Sequence, residues 1–233
     1  MGQMHLQWAL IQSEPPQLIV ATDIDRERLA AVASRFSALA QQKGSQLVCL
    51  NPQELGEEEF SRQMHELAPE GFDDVCVLVP VPAVIADSAR YLADKGILNI
   101  FAGVGRGTMA EIDLSPFALK FARFQGTSGS DIEDLEQTLR LAEEGRLDTN
   151  ASVAAICGID GAKEGLQAVI DARYTGKVVI YPQVEGLGLV GIDEMSSTLP
   201  QVAEKLSEEG HWTREAELEL LRKFLPNKYA AME

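Results

Sequence analysis

Residues 17–29 read QLIVATDIDRERL. An apolar run of strand length, LIVA, ends on an acid, Asp23, and passes directly into a charged, helix-like stretch. A buried strand with a carboxylate at its C-terminal tip is where α/β nucleotide folds hold a ribose hydroxyl. Such folds carry a glycine-rich phosphate turn about 20 residues upstream of that acid. Here a lone glycine, Gly2, stands 21 residues before Asp23, in MGQMHLQWAL. That decapeptide reads as the start of a helix, with Leu6, Trp8–Leu10 and Ile11 able to face a sheet. Gly2 suits the third glycine of the turn, the one that lets helix and strand pack closely. The first strand and two earlier glycines would then lie before Met1.

Working outward, apolar runs alternate with helical patterns. After QLIVAT, the stretch 25–42 places Leu29, Val32 and Phe36 on one helical face. SQLVCL (45–50), DVCVLVP (74–80), ILNIFAG (97–103) and ALKFARFQGT (118–127) read as further strands. Helical stretches such as AVIADSARYLADKG (83–96) separate them. Strands apolar on both faces and divided by helices predict an α/β fold with a doubly wound, mostly parallel sheet. SDIE (130–133) reads as a capping box, with Ser130 as cap and Glu133 reaching back. Its helix carries Ile132, Leu135 and Leu139 and stops at Gly145. From residue 151 the texture changes: ASVAAICGID, a helix capped by Asp160 and ending near Gly176, then the strand KVVIYP. The tail reads as two amphipathic helices broken at Gly210, marked by Leu199, Val202 and Leu206, then by Leu218, Leu221 and Leu225. The expected organisation is a nucleotide-binding domain over 1–150, a second piece over 151–192 and a helical tail over 193–233.

Composition narrows the partners. The chain has 233 residues and a formal charge of −16. It has no basic stretch, which argues against nucleic acid and anionic membrane surfaces as partners. No apolar run approaches the roughly 18 residues of a membrane-spanning helix. Cys49, Cys76 and Cys157 each sit in an apolar run and read as buried free thiols, which fits a reducing cytoplasm. Neither they nor the scattered His5, His65 and His211 have the close spacing of a metal site, so no metal ligand is read from the sequence. No catalytic residue is read either.

The motifs resemble the medium-chain dehydrogenase/reductase family, the zinc-type alcohol and polyol dehydrogenases. The likeness is greatest to its sorbitol dehydrogenase and sorbose-phosphate reductase-like members. MGQMH is similar to the end of the family's phosphate turn, and VATDIDRERL to its second strand and ribose-binding acid. NPQE (51–54) matches a recurring Asn-Pro after the third strand. ILNIFAGVGRGTMAEIDL (97–114), ARFQGTSGS (122–130) and GKVVIYP (176–182) resemble later strands. The resemblance covers roughly residues 1–182. It implies a Rossmann-type sheet lacking its first strand, within an N-terminally truncated oxidoreductase. Zinc is expected only in full-length relatives, because the ligand-bearing domain has no counterpart here. The implied substrate is a small alcohol, sugar alcohol or sugar phosphate, and the full-length form would be a homo-oligomer.

The resemblance also implies site roles. Asp23 would hold the adenosine ribose, favouring NAD over NADP by repelling a 2′-phosphate, and Arg28 would lie near the same ribose. Asp25 is the better cap for the following helix, which frees Asp23. Arg26 would instead soften the exclusion of NADP. Gly2 and Gln3 would offer backbone N–H groups to the pyrophosphate. Val79 and the Pro80–Pro82 turn would flank adenine. Backbone groups at Gly103, Val104 and Thr127 would hold the nicotinamide. Two other readings compete. One is a non-catalytic nucleotide-binding module. The other is an S-adenosylmethionine-dependent methyltransferase, although VPVPAV (79–84) lacks the Asn/Asp-Pro-Pro-aromatic motif common in that class.

Overall fold

The computed structural model describes residues 2–126, 129–208 and 210–229. The chain divides into two compact units, Met1–Glu144 and Gly145–Glu233.

In the first unit, α1 (Gly2–Leu10) leads into β1 (Leu18–Thr22), α2 (Arg26–Gln42) and β2 (Gln46–Leu50). The helices α3 (Pro52–Leu55) and α4 (Glu57–Leu67) precede β3 (Phe72–Val77). Then come α5 (Pro82–Ser88), β4 (Leu92–Ile100), α6 (Ser115–Lys120), β5 (Arg123–Gln125) and α7 (Ile132–Glu143). Every strand pairing in this unit is parallel, as the apolar runs predict. The strands form two sheets, β1-β2 and β3-β4-β5.

Both faces of β1 and β2 are covered. On one, Leu6 and Leu10 of α1 and Phe36 and Ala40 of α2 pack with Ile19, Ala21 and Leu47. On the other, Met64, Phe60 and Leu67 of α4 pack with Val20, Val48 and Leu50. Alternate strand residues therefore serve opposite layers, which is why these strands are apolar throughout. The second sheet has its own core, in which Val77, Ile85, Ala89, Leu92 and Leu98 are buried together.

The second unit is built on β6 (Val153–Gly158), flanked by β7 (Lys177–Tyr181) in parallel and β8 (Val190–Gly191) antiparallel. Between β6 and β7 runs α8 (Ala162–Ile170), and α9 (Met195–Thr198), α10 (Pro200–Ala203) and α11 (Arg214–Phe224) follow β8. One core gathers Ile156, Tyr181, Val184, Met195, Val202, Trp212 and Leu220.

Several local expectations are corrected. ALKFARFQGT is not one strand: α6 runs through Lys120, Phe121 takes φ 55°, and β5 holds only three residues. The helix expected over 83–96 ends at Ser88, and β4 starts at Leu92 with an irregular register to β3. Its kink falls at Lys95, with φ 62°, next to Gly96. The capping box sits one residue later than read. Asp131 caps α7 and Asp134 reaches back. Ile132, Leu135 and Leu139 on that helix are exposed. Asp160 does not cap α8; its Oδ2 accepts from the Gly186 amide at 2.6 Å. The α8 helix ends at Ile170, well before Gly176. In the tail the inward face of α11 is Ala216, Leu220 and Leu221. Cys157 is buried as read, Cys49 is half-buried, and Cys76 is exposed.

Candidate nucleotide site

Of the proposed ligand residues, Asp23, Val79, Gly103 and Val104 follow the C-terminal ends of parallel strands, where α/β folds bind ligands, while Gly2, Gln3 and Arg28 lie on helices. Asp23 follows the last residue of β1. Its Oδ1 accepts from the Asp25 amide at 2.9 Å, which folds the tip back toward the helix. Asp25 then caps α2, its Oδ1 accepting from the amides of Glu27 at 2.9 Å and Arg28 at 3.1 Å. The division of labour matches the sequence reading: Asp25 serves the helix, and the second oxygen of Asp23 stays clear of the cap. That Oδ2 lies 3.8 Å from Arg28 Nη1, while Arg28 Nε lies 3.5 Å from Asp25 Oδ2. Arg28 therefore stands beside both acids.

Arg26 is placed elsewhere. Its guanidinium donates to Glu54 through Nε at 3.0 Å and Nη2 at 3.2 Å, so it is committed to α3. Arg28 rather than Arg26 is the cation that bears on the charge of Asp23.

A positioning residue emerges that the sequence reading saw only as part of a recurring motif. Asn51 is buried at the end of β2. Its Oδ1 accepts from the amides of Gln53 at 3.0 Å and Glu54 at 3.3 Å, capping α3. Its Nδ2 donates to the Ile24 carbonyl at 3.0 Å, pinning the loop between Asp23 and Asp25. The Asn-Pro pair thus has a local cause. Asn caps, and Pro52 at the first helical position has no amide to leave unpaired. The usable signal was an Asn-Pro-x-Glu start directly after a strand.

Gly2 opens α1, and a Cβ built on it would stand 3.5 Å from Leu78 Cδ1. That is ordinary van der Waals contact, so packing against Leu78 alone does not demand glycine. Gln3 receives a hydrogen bond on its Oε1 from Arg35 Nη1 at 2.9 Å, which ties α1 to α2. His5 meets the ring of Phe101 edge-on at 4.6 Å. Val79 lies exposed beyond β3, and Pro82 opens α5 rather than only ending the strand. Gly103 and Val104 follow β4, and a Cβ on Gly103 would meet open space. Thr127 lies outside the described residues.

The set fits the adenosine end of a dinucleotide: a carboxylate at a strand tip beside a helix N-terminus at the same kind of edge. Zinc does not fit. Among the described residues no three of His, Cys, Asp and Glu stand close enough to hold a metal ion. The three thiols lie on different strands, β2, β3 and β6. Among the described residues no helix is long and apolar enough to cross a membrane.

No family model matches the chain. It is 30% identical to the uncharacterized protein YggP of Escherichia coli over 96% of this chain and 54% of that protein. It is 28% identical to mannitol-1-phosphate 5-dehydrogenase of Aliivibrio fischeri, covering 86% of this chain and 47% of the enzyme. It is also 28% identical to L-sorbose 1-phosphate reductase of Klebsiella pneumoniae, covering 95% and 52%. The chain thus spans about half the length of the curated relatives it matches. In fold it is similar to an alcohol dehydrogenase zinc-binding domain protein from Burkholderia ambifaria, with a TM-score of 0.60 at 18% identity over 76% of this chain and 46% of that one. For 2R,3R-butanediol dehydrogenase from Bacillus subtilis the values are 0.58 and 19%, over 72% and 45%. For the crotonyl-CoA carboxylase/reductase AntE, solved in complex with NADP, they are 0.53 and 17%, over 69% and 42%. By its sequence relatives and its Rossmann-type fold, the chain is related to the zinc-type alcohol and polyol dehydrogenases of the medium-chain dehydrogenase/reductase family.

Proposed function

We propose that this chain is the nucleotide-binding portion of an NAD(P)-dependent dehydrogenase acting on a sugar alcohol or sugar phosphate. The observation that carries the reading is the tip of β1, where Asp25 takes over the helix cap and Asp23 Oδ2 is left toward Arg28. In this reading Asp23 accepts hydrogen bonds from the ribose hydroxyls of the adenosine. The first amides of α1 face the pyrophosphate, and the backbone after β4, at Gly103 and Val104, meets the nicotinamide. When bound, the cofactor supplies the hydride chemistry. The chain's own residues bind and orient it. The substrate class is suggested by the mannitol- and sorbose-phosphate relatives. Turnover is not expected from this chain alone, since its described residues do not fit a metal that would polarise the alcohol.

Calorimetry of the purified chain with NAD, NADP and S-adenosylmethionine tests the reading. Binding of NAD in preference to NADP is expected. Binding of S-adenosylmethionine alone would sink the dehydrogenase reading.

A further inference from the structure

Residues 23–28 read DIDRER and hold two cations, Arg26 and Arg28, among three acids. The two cations are used differently. Arg28 stands beside Asp23 and Asp25, at 3.8 and 3.5 Å. Arg26, three residues past Asp23, is turned to α3, where its Nε and Nη2 donate to the two carboxylate oxygens of Glu54 at 3.0 and 3.2 Å. The contact is two-pronged, the planar guanidinium fork matching the carboxylate.

Both ends of that contact are anchored. Arg26 is the first residue of α2, directly after its cap Asp25. Glu54 lies in the single turn α3, and its amide donates to Asn51 Oδ1 at 3.3 Å. Asn51 Nδ2 in turn donates to the Ile24 carbonyl at 3.0 Å. Ile24, Asn51, Glu54 and Arg26 thus close a ring of contacts beside the β1 tip. Asn51 is buried, whereas the side chains of Arg26 and Glu54 are exposed. The ring has one firm link, through Asn51, and one that solvent-facing side chains can open.

We propose that Glu54 is a positioning residue for cofactor choice: it holds the Arg26 guanidinium away from the ribose and so withholds a cation from a 2′-phosphate. The inference rests on the reading of Asp23 as the ribose acid. In that reading a 2′-phosphate meets the Asp23 carboxylate, and Arg28 is already shared between two acids. Arg26 is the remaining cation of the stretch, and its fork suits a phosphate as well as it suits a carboxylate. To use it, NADP must first break the pair with Glu54. NAD, without a 2′-phosphate, has no call on Arg26. Glu54 therefore acts on the ratio of the two affinities, in addition to the repulsion by Asp23. The strength of the pair bounds the effect. For an exposed ion pair, removing that cost raises NADP affinity by at most about fivefold.

The test is a double-mutant cycle on the whole chain. NAD and NADP affinities are measured by calorimetry for wild type, Glu54→Ala, Arg26→Ala and the double variant. Both substituted side chains are exposed, and such changes leave stability nearly intact. Glu54→Ala should raise the NADP-to-NAD affinity ratio about two- to fivefold, with NAD affinity unchanged. In the Arg26→Ala background the same change should leave the ratio nearly where it was. An equal rise in both backgrounds would overturn the proposal, because it would reflect only the removal of a negative charge near the site. A wild-type ratio in Glu54→Ala would also overturn it, as would a change in NAD affinity as large as that in NADP, the mark of a structural role. If the wild-type chain binds neither dinucleotide, the cofactor reading falls and this inference with it. Binding of NAD without coupling between Glu54 and Arg26 overturns the role of Glu54 alone.

Discussion

Asn51 reaches from the end of β2 to the loop after β1, donating its side-chain amide to the carbonyl of Ile24 at 3.0 Å. The same side chain caps α3 through its oxygen. One buried residue therefore holds both the short helix and the loop that carries Asp23. Asn51→Ala should destabilise the first unit by about 1–2 kcal/mol, the range for losing a cap plus a buried hydrogen bond. Asn51→Asp keeps a capping oxygen but cannot donate to Ile24, so it should fall between wild type and alanine. Denaturant unfolding of the three forms checks this. Equal stability of Asn51→Asp and wild type would show that the tie to Ile24 contributes nothing.

The pair Asp23–Arg28 sets up a prediction about cofactor choice. The carboxylate disfavours a 2′-phosphate, and the guanidinium 3.8 Å away offsets part of that charge. Asp23→Ala should reduce the preference for NAD over NADP. Arg28→Ala should raise it, by up to about fivefold, since exposed ion pairs are worth at most about 1 kcal/mol. Binding ratios from calorimetry measure both. Movement of both ratios in the same direction would remove the pair from the site.

β1 and β2 were legible because helices cover them on both faces, and alternate positions such as Ile19 and Val20 serve different layers. Asp25 was legible as the cap because it directly precedes the first helical residue, Arg26. What escaped were features decided by distant partners. Asp160 looks like a helix cap in sequence, but the amide of Gly186 claims its carboxylate from 26 residues away. The role of Asn51 depends on Ile24, 27 residues earlier. Trp212, buried against Tyr181, carried no periodic signal of its own because it stands outside any helix. The second tail helix was read in part: Leu221 is buried and Leu225 packs against the core, but Ala216 and Leu220 were missed because leucines lie on more than one of its faces. Packing selected Ala216, Leu220 and Leu221.

Tyr181 and Trp212 set up an alkaline prediction for the second unit. Burial first, and then the charge of Glu217, push the Tyr181 hydroxyl well above its ordinary value, and Tyr181 also hydrogen-bonds with Glu217 and Trp212. The native hydroxyl thus keeps its proton in a range where the unfolded one, at about 10, has lost it. Stability is fully present below pH about 10 and falls as pH rises beyond it, because the unfolded state alone releases the proton. Tyr181→Phe should flatten that alkaline fall. At neutral pH it should cost about 1 kcal/mol for the lost hydrogen bonds. Unfolding midpoints from pH 8 to 11, followed by Trp fluorescence, would reveal the slope. An unchanged slope in the Phe variant would assign the alkaline loss to another group.

Gly158 ends β6 at the point where the loop around Val184 crosses it. A Cβ there would stand 2.3 Å from the Val184 carbonyl oxygen and 3.2 Å from that of Leu187. The obstacle is backbone on both counts, so no rotamer change relieves it. Those neighbours are themselves held, since the Gly158 amide donates to Leu187 and the Ile159 amide to Val184. The conformation itself is ordinary, with φ −83° and ψ −171°, so space rather than strain makes glycine necessary. Gly158→Ala should therefore destabilise the second unit by about 1–3 kcal/mol, as overpacking does. Gly188→Ala is the matched control, because a Cβ there meets nothing within 4 Å and its φ is not in the left-handed region. Unfolding followed by Trp212 fluorescence in a Trp8→Phe background should show a clearly lowered midpoint for Gly158→Ala and almost no shift for Gly188→Ala. Equal midpoints would mean that the Val184 loop yields freely, and that its hydrogen bonds to β6 do not hold it in place.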